Sequence, residues 1–201
     1  LTEWNAMMTA SLVEAATLFN ETSWLIAAEQ NGEFLYQQLR VMDHESKRFY
    51  WKRSWQETGE PRARHRALAA DLAHLIDAFT RLGEATGKAI WISRACEVAD
   101  ELVANYWDDT NGGLFTIAQD GEQLIVRQKD LLDNATPSAN STAANALLRL
   151  GAITGAERFT LKAHQILRLF TRIAAGAPSA FGNLLLAVHL LHKGITEIAI
   201  T

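Results

Sequence analysis

Trp24-Leu25-Ile26-Ala27-Ala28, Trp91-Ile92-Ser93-Arg94-Ala95 and Phe159-Thr160-Leu161-Lys162-Ala163 are three copies of one pattern, an aromatic residue with alanine four places on, set 67 and then 68 residues apart. Other positions keep the same shifts: Leu12, Phe79 and Leu147 form one set, and Asn5, Leu72 and Asn140 another. A fixed long period marks one supersecondary unit copied along the chain, each copy burying its apolar face on a neighbour. Three periods nearly fill the 201 residues.

Within each unit the apolar residues recur at helical spacing. Leu68, Leu72, Leu75, Phe79 and Leu82 build one continuous stripe, and Phe159, Ala163, Ile166, Phe170 and Ile173 build another. The pattern predicts helices over residues 3–20, 22–41, 67–86, 88–107, 139–154, 157–175 and 179–193. Gly87 and Gly155 fall where one helix ends and the next begins, as a residue free to take positive φ should. Gly32 weakens the second helix, since glycine costs about 1 kcal/mol there against alanine. Each repeat is therefore a helical hairpin. Longer connections join the hairpins: Phe49-Tyr50-Trp51 reads as a short strand, and residues 113–118 with 123–127 read as a β-hairpin turning at Asp120-Gly121. Such excursions belong on one rim of a stacked helical array. The architecture is an α/α toroid or a solenoid. A closed ring of six such hairpins needs about 400 residues, twice this chain, so residues 1–201 read as one partial toroid domain of three to four hairpins.

Composition sets wider bounds. With 48% hydrophobic and 21% charged residues the chain is an ordinary globular sequence, long enough for a sizeable core. A net charge of −4 argues against a nucleic-acid footprint over the whole domain. Cys96 is the one cysteine, at an apolar helical position, so neither an intrachain disulfide nor a cysteine metal cluster is expected, and no cofactor or metal. No apolar run approaches membrane-spanning length, which makes the cytoplasm the expected compartment. Leu1 stands in place of an initiator Met, and residues 195–200 read like the start of a strand. The expectation is a piece cut from something longer.

Residues 127–141 are the most unusual stretch. They gather Arg127, Lys129, Asp130 and Asp133 with hydroxyl and amide groups just before a helix start, where free N–H groups and the positive end of the dipole point. Two readings stand side by side. One is a polar pocket wall for a hydroxyl-rich ligand, with Asp133 or Asp130 available for proton transfer. The other is a turn and cap, with Pro137 fixing entry, Ser138 capping and the aspartates paired to Arg127 and Lys129.

Four segments carry a resemblance to a known family: Leu1-Thr2-Glu3-Trp4-Asn5-Ala6-Met7-Met8, Ala70-Asp71-Leu72-Ala73, Trp107-Asp108-Asp109-Thr110-Asn111-Gly112-Gly113-Leu114-Phe115, and residues 127–141. In this order and at this spacing they resemble the thioredoxin-domain-containing, spermatogenesis-associated protein family. The resemblance implies an all-α, six-hairpin glycosidase-type (α/α) toroid related to N-acylglucosamine 2-epimerase, of which this chain is about the C-terminal half. It also implies a thioredoxin-like domain elsewhere, which nothing in these residues matches.

Related toroids bind sugars in the central funnel, where inner helices begin. By that resemblance Trp4 stacks on a sugar face, and Asn5, Ser138, Asn140 and Ser141 bind hydroxyls, with Arg127, Lys129 and Asp130 nearby. Asp71 pairs with Asp133 as acid and base. The plainer readings make Asp71 a first-turn carboxylate favoured by the helix dipole and Trp4 a packing anchor. His74 lies one turn after Asp71, off the apolar stripe, where it can face a cavity. A solvated or hydrogen-bonded structural histidine is the plainer reading for it and for the two histidines of the last helix. His189 and His192 stand at i, i+3 on the last helix, and nothing matches the histidines that shuttle protons in epimerases of similar fold.

Residues 47–66 hold a local charge of +5 interleaved with Phe49, Tyr50, Trp51 and Trp55. This is the one candidate for a single-stranded nucleic acid, although a solvated rim segment explains it more simply. Two functions remain open: a sugar-active domain at the loop-bearing rim, or a non-catalytic helical scaffold for a protein or glycan. The expected partners are a small carbohydrate and either a second copy or the missing toroid half.

Overall fold

A computed structural model describes residues 1–44, 47–60, 62–121 and 125–194. Among them are seven α-helices: α1 (Thr2–Phe19), α2 (Thr22–Leu39), α3 (Ala69–Thr86), α4 (Ala89–Tyr106), α5 (Ala139–Thr154), α6 (Glu157–Gly176) and α7 (Gly182–Lys193), the last entered through a 3-10 turn at Pro178–Phe181. The strand expected at residues 195–200 lies outside the described residues. None of these helices is long and apolar enough to cross a membrane.

The period is visible in the turns. Asn20, Gly87 and Gly155 end α1, α3 and α5 in the left-handed conformation, and these positions are again 67 and 68 residues apart. Each turn reverses the chain into the next helix after one residue with φ near 60°. The odd-numbered helices pack in a row, α1 on α3, α3 on α5 and α5 on α7, while α2, α4 and α6 cover that row from outside. Two layers of antiparallel hairpins result, with every inner helix starting at the same end.

The core follows from this layering. α3 is covered by α1, α4 and α5, so Leu72, Leu75, Ile76, Phe79 and Leu82 are wholly buried, each stabilising the fold by about 1.5–3 kcal/mol. Trp51, Tyr36, Phe79 and Trp91 form a chain of ring contacts at 5.5–6.2 Å that ties the connecting strand to three helices. Gly32 has a packing reason: a Cβ there would lie 2.8 Å from Leu82 and 3.0 Å from Trp91. Cys96 is half-buried, and burial pushes its thiol above the usual range.

The excursions differ from expectation in detail. The second helix stops at Leu39, and three antiparallel strands follow: β1 (Arg40–Met42), β2 (Phe49–Gln56) and β3 (Arg62–Arg66). The segment read as a basic rim loop is thus a hairpin, with Lys52 opposite Arg66 and Ser54 opposite Arg64. Among its cations, Arg53 meets Asp71 and Glu3 and Arg66 meets Glu101 and Asp120, while Arg40 on β1 meets Glu97. The β-hairpin expected from residue 113 to 127 is not a hairpin among the described residues, and Gln123 and Leu124 lie outside them. A single bridge joins Trp107 to Leu114, and Thr116 N–H donates to the Gln128 carbonyl. Side chains do the work of a ladder there, as the Asn140 amide clamps Leu114 on both its N–H and its C=O. Both excursions meet at one rim, where Ala67 N–H donates to Trp51 O and Ala69 N–H to Thr116 O.

Candidate functional site

The face of the inner row turned away from the outer helices encloses a cavity of about 440 Å³. Its lining obeys the repeat. Met7, His74 and Thr142 form one layer, Ala10, Asp77 and Asn145 the next, and Glu14, Arg81 and Arg149 the third, each 67 and then 68 residues apart. From α7, Asn183, Leu186 and His189 close the far wall. A repeat-equivalent position on every inner helix looks into the same funnel because the inner helices are parallel copies.

His74 stands out among these groups. It is 6% exposed, and its Nε2 has no hydrogen-bond partner. Burial presses its pKa down to about 4, against an opposing pull from Asp77, so the ring is neutral at pH 7. Thr142 is also buried, and its Oγ1 lacks a partner on the same cavity wall. Several buried side-chain atoms among the described residues lack a partner, and His74 and Thr142 are the two of these residues that line this cavity.

Deeper in the funnel the charges form a ladder. Arg81 reaches Glu14 at 3.1 Å and Asp77 at 3.0 Å, while Arg149 lies 3.8 Å from Asp77 and 3.8 Å from Glu84. Burial raises the pKa of Glu84, with Arg149 and Arg81 opposing. Each guanidinium is thus held between two carboxylates.

The residues expected to act at the rim have other employment. Asp71 is fully buried and accepts from Glu3 N–H at 2.9 Å, Leu68 N–H at 2.8 Å and Arg53 Nη1 at 3.0 Å. It ties the start of α1 to the start of α3. Burial still raises its pKa above the usual carboxylate range, and burial does the same to Glu3. Asp133 accepts from Ser138 N–H at 2.9 Å, Asn183 N–H at 2.8 Å and Leu184 N–H at 3.3 Å, which joins the start of α5 to the start of α7. The two aspartates are staples between successive inner helices, and neither lines the 440 Å³ cavity. The acid–base pair expected of them does not form there.

The rest of residues 127–141 is a knot. Arg127 donates to Ile117 O at 2.8 Å and lies over the Phe115 ring at 4.1 Å. Lys129 bonds Asp108 at 2.8 Å, an interaction that holds the Asp108 carboxyl far below its usual range. Asp130 is exposed, and its carbonyl receives Asn140 Nδ2 at 3.0 Å. Ser138 caps α5 by accepting from Ser141 N–H, and the two hydroxyls meet at 2.9 Å. Asn5 returns its side chain to Leu1 O, and Trp4 is 63% exposed, away from the cavity. Only Pro137 of the segment reaches the funnel. His74, Asp77 and Arg81 stand at i, i+3 and i+7 opposite the apolar stripe of α3, as do Thr142, Asn145 and Arg149 on α5. Laying the repeats over one another exposes that polar stripe from sequence. Among the described residues, no three His, Cys, Asp or Glu side chains are grouped to hold a metal ion.

Comparison with known proteins agrees with this architecture. No protein-family model matches the chain. It is 28% identical over 200 residues to an uncharacterised protein of Caenorhabditis elegans and 26% identical over 202 residues to spermatogenesis-associated protein 20 of Rattus norvegicus. These matches cover 100% of this chain and 27% and 26% of the relatives. The human protein of the same name is 31% identical over 131 residues, covering 65% of this chain and 17% of that one. The chain therefore spans about a quarter of the first two relatives' length. Among solved structures, cellobiose 2-epimerase from Spirochaeta thermophila superposes with a TM-score of 0.64 at 20% identity, covering 84% of this chain and 42% of that one. A D-mannose isomerase gives 0.64 at 15% identity over 87% and 41%, and a family 76 α-mannanase of Bacteroides thetaiotaomicron gives 0.61 at 15% over 84% and 43%. With two of the sequence matches running its full length and the helices laid out as in these toroids, the chain is similar to the spermatogenesis-associated proteins and carries about half of a six-hairpin glycosidase-like toroid.

Proposed function

We propose that this chain supplies part of a sugar-active site in the funnel, and that the chemistry is proton transfer of the isomerase or epimerase type. The observation that carries the reading is His74: a buried, neutral imidazole that lines the funnel cavity and whose Nε2 has no partner within the protein. A neutral imidazole can take the proton from a carbon beside a sugar carbonyl, becoming imidazolium. His189 on α7 borders the same cavity and is placed to return a proton from another wall. A two-carboxylate hydrolysis built on Asp71 and Asp133 has less support, since both are engaged by backbone N–H groups. The sugar-active neighbours of the same fold favour a carbohydrate over other ligands.

Exchange of the proton beside the carbonyl of D-mannose or cellobiose, followed by NMR in heavy water, tests this. Exchange is expected with the parent chain and falls about 100-fold or more in His74→Phe, with sugar binding retained. In the parent it holds from neutral pH down to about 5 and fades as the pH passes about 4, where the imidazole protonates. Equal exchange in His74→Phe removes His74 from the chemistry. A parent that binds sugar and exchanges nothing is a scaffold, the second reading, which the full engagement of both staple aspartates favours.

A further inference from the structure

Among the described residues, the inner-helix starts beside the funnel and the arginines within it are already met by the protein's own carboxylates. A helix N-terminus binds phosphate or carboxylate through its free N–H groups and dipole. Here the starts of α1 and α3 are occupied by Asp71, and those of α5 and α7 by Asp133. The other means of holding an anion is an unpaired guanidinium. The two arginines that reach the cavity are committed: Arg81 to Glu14 and Asp77, and Arg149 to Asp77 and Glu84. Three carboxylates against two guanidiniums leave one negative charge, and the buried His74 ring adds none at neutral pH. The cavity is nevertheless lined by neutral polar side chains, His74, Thr142, Asn145 and Asn183, and the buried His74 Nε2 and Thr142 Oγ1 have no partner within the protein.

We infer that the funnel selects an uncharged polyhydroxylated ligand and rejects its phosphorylated and carboxylated counterparts, with Glu14, Asp77 and Glu84 as the residues that set this choice. The inference rests on the sugar-binding reading above and narrows it to a charge class. An incoming phosphate would displace a carboxylate from an arginine or face the net negative charge, and an uncharged sugar does neither. The ladder then serves specificity through the repulsive element it presents.

Binding of D-mannose, cellobiose, mannose 6-phosphate and glucuronate to the parent chain, by saturation-transfer NMR and calorimetry at low ionic strength, tests it without any variant. The neutral sugars are expected to bind and to perturb the His74 ring signals, with the two anions at least about tenfold weaker. Glu14→Gln/Glu84→Gln, which releases one partner from each arginine, is expected to tighten mannose 6-phosphate about tenfold relative to D-mannose. Anions bound as tightly as neutral sugars by the parent overturn the charge inference and leave the sugar reading standing. A parent that binds none of the four overturns both. A folded double variant, by thermal melt, with unchanged preference removes the ladder as its cause.

Discussion

At the scale of single residues, a carboxylate in the first turn of a helix has the same sequence signature whether it faces a cavity or closes a cap. Asp71 sits three residues after Leu68 and accepts its N–H, one half of a capping box, while its other oxygen takes the Glu3 N–H of a helix 68 residues earlier. That second bond cannot be read locally, which is why the sequence left a catalytic reading of Asp71 open beside the plainer first-turn one. His74 was recognisable as off the apolar stripe, but its unsatisfied Nε2 depends on what α1 and α5 bring against α3. The staple role makes a definite prediction. Asp71→Asn keeps the volume but places an amide among three donors in a fully buried site, and should lower unfolding free energy by about 2–4 kcal/mol. Urea denaturation with an unchanged m-value measures it, and a loss under 0.5 kcal/mol would mean that the staple does little.

At the scale of elements, helix periodicity was fully legible because each helix buries a continuous stripe, and the observed bounds fall within a few residues of those expected. The strands were not. β3 is Arg62-Ala63-Arg64-His65-Arg66, a sequence that a half-buried surface rarely favours, and it holds because Glu101 and Asp120 receive Arg66 and because β2 supplies the ladder. The inner–outer helix contacts carry a second repeat mark, Gly83 in α3 and Gly151 in α5, again 68 residues apart. A Cβ at Gly83 would overlap the Ile92 side chain, and one at Gly151 the Thr160 hydroxyl. Helix propensity alone predicts that alanine stabilises either site by about 1 kcal/mol. The close approach reverses that sign, and Gly83→Ala and Gly151→Ala should each destabilise by about 1–3 kcal/mol in thermal or urea unfolding. A gain in either variant would show that the hairpins can part at no cost and that glycine is not required for their packing.

At the scale of the whole molecule, the inner row ends on α1 at one side and α7 at the other, and both ends carry apolar surface. Met8 is 58% exposed, Leu18 74% and Phe19 69%, while on α7 Leu186 is 61% exposed and Leu191 47%. Leu184 on the same helix is buried against the molecule's own core. In the solved toroids, of which this chain matches about two fifths, the fold continues past the matched part. Leaving about 400 Å² uncovered on each flank forgoes roughly 20 kcal/mol in total at 25 cal/mol per Å², an upper bound because the unfolded chain also hides surface. Apolar patches of that size on soluble proteins mark interfaces. The 201 residues alone should therefore self-associate, two copies pairing their open flanks α1 and α7. Light scattering at tens of micromolar is expected to give twice the mass of one chain, and Leu185→Glu, at an exposed α7 position outside the cavity lining, to shift it toward the monomer without lowering helix content. A non-aggregating monomer with the parent residues in place would mean that these flanks are stable in water, and that the half-ring needs no partner to stand.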